Sequence, residues 1–387
     1  MGMRGVANED GFGKPFKQKP PSKNIDLYTT KRRVIFSQGC AKHPTLLWHI
    51  LNSSLLMQIS YGWTVTSLDD KFVKLATTVT TAVIEAGGPT TTLVDFFPIM
   101  KYWPLWLPGS GFRIHAIDTA ELLREWLDIP YEMVSGNMAN GNAKPSILES
   151  LIKECSREGD PTPDDKENIK GAVTSLYGAG TDTTVTVITT FILTMVLHRD
   201  VFLKAQAEVD RVTGGSRLPD FDDRDSMPYL ECVLKEVYRW GCPLPLGVPH
   251  RLTEDDEYDG HHLPAGSTII PNIWVMTRKP EIYPDPERFW PERFEALDSD
   301  TADLYDPRKL IFGFGRRICP GRIFADHSVW LAVASILSSL DIRKARNAAG
   351  EEVSPVPAFK SGIVSHVVPF ECDIQPRSGK AISISES

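Results

Sequence analysis

The sequence predicts a mainly α-helical protein with a small β region. From Pro44 onward, apolar residues recur near the 3.6-residue period of a helix. Strand signals are late and short, at 267–270 and 364–370. Strands and helices do not alternate along the chain as they would in a parallel α/β protein.

The chain divides into a short arm and one long segment. Residues 1–36 carry lysines among glycines and prolines without apolar periodicity, which predicts a disordered or loosely held arm. No Gly/Ser-rich or Pro-rich linker interrupts residues 41–376, so residues 37–387 are predicted to form one domain. Its first helix is indicated by the spacing of Leu46, Ile50, Leu51, Leu55 and Ile59.

The composition limits the partners and the compartment. A net charge of −8 over 387 residues argues against nucleic acid as a partner, since no long Lys/Arg face offsets the acidic balance. Six cysteines at irregular spacing, without a secretory signal, favour a reducing compartment over a disulfide framework. No apolar run of about 20 residues stands near the N-terminus, so no membrane anchor is expected there.

Residues 96–112 form an aromatic segment punctuated by prolines between two helical stretches. Two interpretations stay open. The segment is either a loop packed on the core, or a surface that enters a membrane or covers a pocket.

The longest apolar stretch, residues 171–197, is predicted to be a buried core helix and not a membrane span, because it contains Asp182 and many threonines. Gly180 in its middle costs about 1 kcal/mol of helix stability relative to alanine. The small pair Ala179 and Gly180 would leave space beside a ligand, and Asp182 with Thr183 could relay protons to it. The alternative is a kinked core helix whose threonine bonds the preceding turn.

Glu236 and Arg239 lie three residues apart on a predicted amphipathic helix and so share one face. On a surface such a pair contributes only about 0.3–0.5 kcal/mol. By itself the pair is a weak signal.

The strongest chemical signal is residues 312–321, Phe-Gly-Phe-Gly-Arg-Arg-Ile-Cys-Pro-Gly. Cys319 has no second Cys or His at zinc spacing, so a metal here would take one sulfur from the protein and its other ligands from a cofactor such as haem. Gly313 and Gly315 allow positive φ, so that backbone N–H groups can point at the sulfur and spread its charge. Phe312 is expected to shield the sulfur from water.

This loop resembles the cysteine-ligand loop of the cytochrome P-450 family, whose pattern is F-x-x-G-x-R-x-C-x-G. The matching residues are Phe312, Gly315, Arg317, Cys319 and Gly321. The resemblance covers about residues 44–376 and is closest to fungal members, as at 58–62 and 289–294. It implies the P-450 fold and haem b, with the Cys319 thiolate as the axial iron ligand.

The resemblance also implies roles for the two helical motifs. In the family, the A-G-x-D-T-T segment lies over the distal face of the haem. Ala179 and Gly180 would make room for dioxygen there, and Asp182 and Thr183 would deliver protons. The family joins the arginine of its P-E-R-F segment, here Arg293, to the E-x-x-R pair, so the structural residues of a buried charge network would be Glu236, Arg239 and Arg293.

Two further sets of residues are implied by family position. Arg317 in the cysteine loop and His250 in the propionate-side strand are the candidates to bind the haem propionates, which need strong donors when enclosed. The substrate pocket would be apolar, and its candidates are equally suited to the core: Leu176, Pro245, Leu246, Ile363 and Val364.

The implied function is a haem-thiolate monooxygenase that inserts one oxygen atom from dioxygen into a small apolar organic substrate. Electrons would come from NADPH through a cytochrome reductase. Arg316, Arg322 and Lys309 around the cysteine loop could dock this acidic partner, although solvated surface explains each one alone. The resemblance implies the cytosolic face of the endoplasmic reticulum membrane, with 96–112 as a membrane contact.

Two alternatives stay open. A haem-thiolate isomerase or dehydratase would need neither dioxygen nor NADPH, and the Asp182–Thr183 pair argues against it. A haem-binding remnant without activity is the second, because no anchor, proline-rich hinge, early sheet or W-x-x-x-R helix of the family precedes residue 44. The chain is therefore expected to be an N-terminally truncated member.

Overall fold

A computed structural model describes residues 44–65, 70–86, 94, 97–157, 159–295 and 297–377. The predicted arm at 1–36 lies outside the described residues. The described chain forms two compact units, one ending at Val185 and the other beginning at Thr186. Helices dominate both units and the strands are few and short, which confirms the predicted fold class. The single domain over 37–387 stays a prediction.

The N-terminal unit is built from helices. They are α1 (Pro44–Tyr61), α2 (Lys71–Ala86), a short 3-10 helix (Pro98–Tyr102), α3 (Gly111–Ala139), α4 (Ile147–Ser156) and α5 (Pro163–Leu197), which contains the unit boundary. Helix α1 ends at Gly62, whose φ of +67° lets its N–H bond the Gln58 carbonyl at 2.9 Å. Tyr61, Trp126 and Tyr177 pack with ring centroids 5.1–6.3 Å apart and form an aromatic centre for the unit.

Among the described helices, α5 alone is long and apolar enough to cross a membrane. However, 83% of its apolar window is buried inside the protein. This burial agrees with the predicted core helix at 171–197.

The C-terminal unit contains the remaining helices. They are α6 (Arg199–Thr213), a 3-10 helix (Phe221–Ser226), α7 (Pro228–Gly241), α8 (Ile273–Met276), a 3-10 helix (Pro291–Phe294), α9 (Ser299–Leu304), α10 (Arg308–Ile311), a 3-10 helix (Gly315–Arg317) and α11 (Arg322–Ser339). Helix α11 is apolar on every side and buried from Val329 to Leu337, as expected of a central helix. At the C-terminal end of α11, the side chain of Gln206 in α6 donates hydrogen bonds to the Leu337 and Leu340 carbonyls at 3.1 and 2.9 Å.

Three small antiparallel sheets belong to the same unit. The strands are β1 (His250–Arg251), β2 (Asp256–Tyr258), β3 (His261–Leu263), β4 (Thr268–Ile269), β5 (Leu340–Arg346), β6 (Glu352–Val353) and β7 (Cys372–Pro376). Strand β1 pairs with β4, β2 pairs with β3, and β5 lies between β6 and β7.

Only one of the two predicted strand positions is correct. The signal at 267–270 is confirmed as β4. The signal at 364–370 is wrong, since that range holds one isolated bridge, from Val367 to Phe359. Strand β5 was missed because the buried alternation of Leu340 and Ile342 follows α11 without a turn residue.

Candidate functional site

The cysteine loop, residues 312–321, joins α10 to α11. Gly313 and Gly315 have φ of +79° and +59°, which favours glycine. An added Cβ at either position would meet no described atom within 4 Å, so backbone conformation and not crowding requires the glycines. The Cys319 N–H donates to the Phe312 carbonyl at 2.8 Å. The loop thus folds back and brings its first residue to the cysteine.

The Cys319 sulfur is half-buried at the start of α11. Burial raises the pKa of the Cys319 thiol, and hydrogen bonds from the Gly321 and Arg322 N–H groups oppose that rise, as does the charge of Arg322. A Cβ at Gly321 would stand 3.9 Å from the sulfur. These N–H groups follow the cysteine in sequence, whereas the two positive-φ glycines precede it. A half-buried sulfur with a glycine beside it, just before the N-terminus of a helix, fits a thiolate that ligates haem iron.

The Phe312 ring packs edge-on against Tyr238 of α7, with 6.0 Å between the ring centroids. The contact fixes the first arm of the loop to α7. The role of Phe312 as a shield for the sulfur stays a prediction.

Within the N-terminal unit, the faces of α5 at residues 176–183 differ in their exposure. Leu176, Ala179 and Thr183, spaced by three and four residues, share one face. Ala179 is exposed and the other two are half-buried. Tyr177 and Thr181, on another face, are buried. Within this unit α5 therefore has an open face that carries two of the predicted residues at positions 179–183.

Gly180 is explained by the approach of α1. A Cβ there would come within 3.1 Å of Leu56 Cδ1. The side chain of Asn52 also donates to the Gly180 and Thr181 carbonyls at 2.9 and 3.1 Å. The structural reason for a small residue is therefore visible, and the role of Gly180 beside a ligand stays a prediction.

The Thr183 hydroxyl donates to the Ala179 carbonyl at 2.8 Å. This bond to the preceding turn is the one expected if the segment is simply a kinked core helix. Thr181 makes the same bond to the Tyr177 carbonyl, also at 2.8 Å. Thr183 therefore differs from Thr181 in exposure and not in bonding. Asp182, between the two threonines, is 7% exposed.

The structure brings Glu236, Arg239 and Arg293 together in the C-terminal unit. Glu236 and Arg239 are both 0% exposed. Arg239 donates from Nε and Nη2 to the two Glu236 oxygens at 2.8 Å each, and Arg293 Nε donates to them at 3.1 and 3.2 Å. Remaining donors of both arginines bond backbone carbonyls of residues 277–288. One carboxylate thus serves two guanidinium groups, and we call the three residues the Glu236 network.

Sequence reasoning missed a second charge network, which flanks the cysteine loop. Arg308, the first residue of α10, donates from Nη1 to Asp326 Oδ1 at 3.2 Å and to Glu231 Oε1 at 2.5 Å. Its Nε and Nη2 bond Asp306 at 2.5–3.1 Å. Arg224 Nη2 donates to Asp326 at 2.7 Å and to Glu231 at 3.0 Å. These five residues form the Arg308 network.

The Arg308 network is buried and tightly charged. Arg308 is 5% exposed and Asp326 is 0% exposed. Burial raises the pKa of Glu231, but the charges of Arg308 and Arg224 outweigh it and hold that pKa at about 2. One sequence signal could have revealed the network: Asp326 is the lone carboxylate in the apolar helix 322–339, and a buried charge needs partners.

Comparison with known proteins decides the family. The cytochrome P-450 family profile matches residues 50–366. The chain belongs to the cytochrome P-450 family. It is 51% identical over 333 residues to cytochrome P-450 monooxygenase 176 of Postia placenta, covering 86% of the chain and 64% of the relative. The chain is 48% identical over 331 residues to monooxygenase 136 of the same fungus, covering 86% of the chain and 63% of the relative. It is 44% identical over 329 residues to monooxygenase claT of Ampulloclitocybe clavipes, covering 84% of the chain and 64% of the relative.

This P-450 chain thus spans a little under two thirds of the length of these fungal relatives. The suspected family is confirmed by these matches. Its members bind haem through a cysteine thiolate, and the half-buried Cys319 with Gly321 beside its sulfur fits that cofactor.

The two candidate propionate donors of the P-450 chain are accessible. Arg317 ends the 3-10 helix of the cysteine loop, and His250 lies in β1 opposite Ile269. Both are exposed, and neither side chain has a hydrogen-bond or ion-pair partner among the described residues. Donors of this kind suit the carboxylates of a haem.

The five pocket candidates differ in burial. Leu246 and Ile363 are 53% and 49% exposed, whereas Val364 is buried and suits the core interpretation. The other two, Leu176 and Pro245, are half-buried. The pocket assignment stays a prediction.

Proposed function

We propose that this chain is the haem-binding part of a monooxygenase that inserts one oxygen atom from dioxygen into a small apolar substrate. The observation that carries the proposal is the cysteine loop, which folds back through the bond from the Cys319 N–H to the Phe312 carbonyl and places the half-buried sulfur beside Gly321. Family membership supports it, since the relatives at 44–51% identity carry the name monooxygenase. Haem b bound here would supply the redox chemistry that activates dioxygen.

The residues of the C-terminal unit would bind and orient the cofactor. Cys319 would hold the iron through its thiolate, whose charge the two backbone N–H groups spread. Arg317 and His250 would pair with the propionates. Apolar residues such as Leu246 and Ile363 would exclude water from the substrate.

Asp182 and Thr183 would manage protons. The Thr183 hydroxyl keeps its own proton on the Ala179 carbonyl, so its oxygen can accept a hydrogen bond on the open face of α5. Asp182 is the next residue toward the N-terminus, and its buried carboxyl group would be the second member of the proposed relay. Together they supply an acceptor and a carboxyl within one helical turn.

Electrons would come from NADPH through an acidic reductase. Arg316 is exposed and has no side-chain partner in the described part of the chain, which suits a docking contact. Lys309 is paired with Asp303 and contributes less positive charge. Arg322 is half-buried beside the cysteine.

A membrane surface is the proposed location, through residues 97–112. Ile99, Tyr102 and Trp106 of this segment are 76–81% exposed, and exposed aromatic residues favour the membrane interface. Double replacement of Tyr102 and Trp106 by serine should reduce co-sedimentation with phospholipid vesicles. Val356→Ser removes an equally exposed apolar side chain (80%) outside the segment and should not. Equal vesicle binding by the double variant would contradict the membrane contact.

The deciding experiment is the carbon monoxide difference spectrum of the reduced, haem-supplied 387-residue chain. We expect a red-shifted thiolate-type band that is lost in Cys319→Ser. Cys372→Ser, another half-buried cysteine, should keep the band. No thiolate-type band in the parent chain would favour the remnant without activity.

The proton role is tested by paired threonine variants. Thr183→Ala should bind haem but release peroxide and form less product per NADPH consumed. Thr181→Ala removes the same kind of hydrogen bond at a buried position and should leave that ratio unchanged. Equal ratios in the two variants would overturn the assignment of Thr183.

A further inference from the structure

The two arms of the cysteine loop are tied by one buried ion pair. Arg308 opens α10, just before the loop, and Asp326 lies in α11, just after it. Arg308 Nη1 donates to Asp326 Oδ1 at 3.2 Å. The pair therefore closes residues 309–325 into a ring that contains Cys319.

Both members of the pair are fixed by further partners. The Arg308 guanidinium also bonds Asp306 and Glu231, and the second oxygen of Asp326 accepts from Arg224 at 2.7 Å. Neither side chain can turn away without breaking several charge-assisted hydrogen bonds. Since both are at most 5% exposed, water cannot replace those bonds.

The position of α11 decides what the sulfur meets. Arg322, the first residue of α11, donates its N–H to the Cys319 carbonyl at 3.3 Å, and the Ala325 N–H bonds the Gly321 carbonyl at 2.8 Å in the same turn. On the other arm, the Phe312 carbonyl accepts the Cys319 N–H. A shift of α11 relative to α10 would therefore strain or break one of these backbone bonds of Cys319.

We propose that Arg308 and Asp326 are positioning residues that hold the two arms of the cysteine loop in register, so that Cys319 keeps its backbone bonds to Phe312 on one arm and to Arg322 on the other. Both residues lie outside residues 312–321, so the pair acts on the backbone arms that carry Cys319. This inference rests on the proposed role of Cys319 as the iron ligand.

The first test is Asp326→Asn in the full 387-residue chain, a change that keeps the shape of the side chain and weakens the tie. Peptides covering 312–322 should exchange amide hydrogen roughly tenfold faster, the effect of weakening a charge-assisted hydrogen bond on a local opening equilibrium. Arg308→Gln alters the charge in the opposite direction, and it should also speed exchange in 312–322. At equal haem loading, both variants should show a smaller share of the thiolate-type carbon monoxide band.

A charge-balanced variant separates positioning from overall stability. Arg308→Met with Asp326→Leu removes one cation and one anion, so the net charge of the network is unchanged, Arg224 still pairs with Glu231, and the fold should persist. Its thermal unfolding should remain close to that of the parent chain, while exchange in 312–322 stays fast and the thiolate-type band stays small. Lys235→Gln is the control, since Lys235 contacts only Asp306 of the network, at 3.7 Å.

The outcomes are distinct. Parent-like exchange and a full thiolate-type band in the double variant would show that the pair only stabilises the fold, and would overturn the inference. Faster exchange in Lys235→Gln equal to that in Asp326→Asn would also overturn it. If the parent chain gives no thiolate-type band, the proposed function fails, whereas the exchange comparison still decides whether the pair orders the loop.

Discussion

The two charge networks of the C-terminal unit both take a glutamate from α7, yet they are built differently. In the Glu236 network one carboxylate neutralises two guanidinium groups, Arg239 and Arg293. In the Arg308 network Glu231 is one of three carboxylates that face Arg224 and Arg308, with Lys235 at the edge. Burial alone therefore does not set how much unfolding free energy is lost when one charge is removed. The number of charged partners that remain sets this loss.

The largest expected effect is that of Arg239→Ala. The change removes the closest partner of Glu236. It also removes the hydrogen bonds that Arg239 donates to the backbone carbonyls of Thr277 and Arg288. We expect a loss of roughly 3–5 kcal/mol of unfolding free energy and no haem-loaded protein. Haem absorbance per protein after purification measures this.

Arg343→Ala is the control for that variant, because Arg343 is 64% exposed in its ion pair with Asp341. It should cost at most about 1 kcal/mol. A normally loaded Arg239→Ala protein would contradict the structural role of the Glu236 network.

A smaller effect is expected from neutralising the other glutamate. Glu231→Gln leaves Asp306 and Asp326 to balance Arg308 and Arg224, whereas Glu236→Gln removes the carboxylate that Arg239 and Arg293 share. Denaturant unfolding should therefore show a loss of about 1–3 kcal/mol for Glu231→Gln, below that of Glu236→Gln. Equal losses would mean that the surplus of carboxylates does not matter.

At acidic pH, the difference in unfolding free energy between Glu231→Gln and the parent chain should become smaller. The folded-state pKa of Glu231 is about 2, below its ordinary value of 4.5. Its contribution to stability is complete above the ordinary value and is lost as the pH falls through 4.5 toward 2. The difference in unfolding free energy should be constant from pH 7 to about pH 5 and shrink below pH 4.5. A difference that stays constant down to about pH 3 would exclude this contribution.

The smallest effect is expected from Lys235→Gln. Lys235 approaches Asp306 only to 3.7 Å, and Arg308 bonds the same carboxylate at 2.5 Å. Unfolding free energy should change by less than about 1 kcal/mol. A larger loss would mean that Lys235 is needed to balance the third carboxylate of the Arg308 network.

The sequence predicts one network and not the other for a physical reason. Glu236 and Arg239 lie on one helix face, and their family motif names the third partner, Arg293. The Arg308 network joins residues from four separate segments, which local spacing cannot bring together. The lone Asp326 in an apolar helix indicated that a partner must exist but not which one.

The same limit applies to the fold and the cysteine site. Apolar periodicity was enough for α1 and for the core helix α5, and the loop motif was enough to single out Cys319. The backbone bonds that Cys319 makes depend on where α10 ends and α11 begins, and the missed strand β5 depends on its pairing with β7. Both are set by contacts between segments distant along the chain.

The double hydrogen bond from Asn52 to the Gly180 and Thr181 carbonyls has a consequence for recombining this chain with its relatives. A segment exchange that replaces α1 without residue 52 removes two donors from the middle of α5, at the glycine that Leu56 covers. Chimeras with a crossover between α1 and α5 should therefore tolerate the exchange only when both parents carry asparagine at that position and a small residue at 180. The presence of Asn52, far from the cysteine in sequence, would thus help to decide which of these chimeras fold.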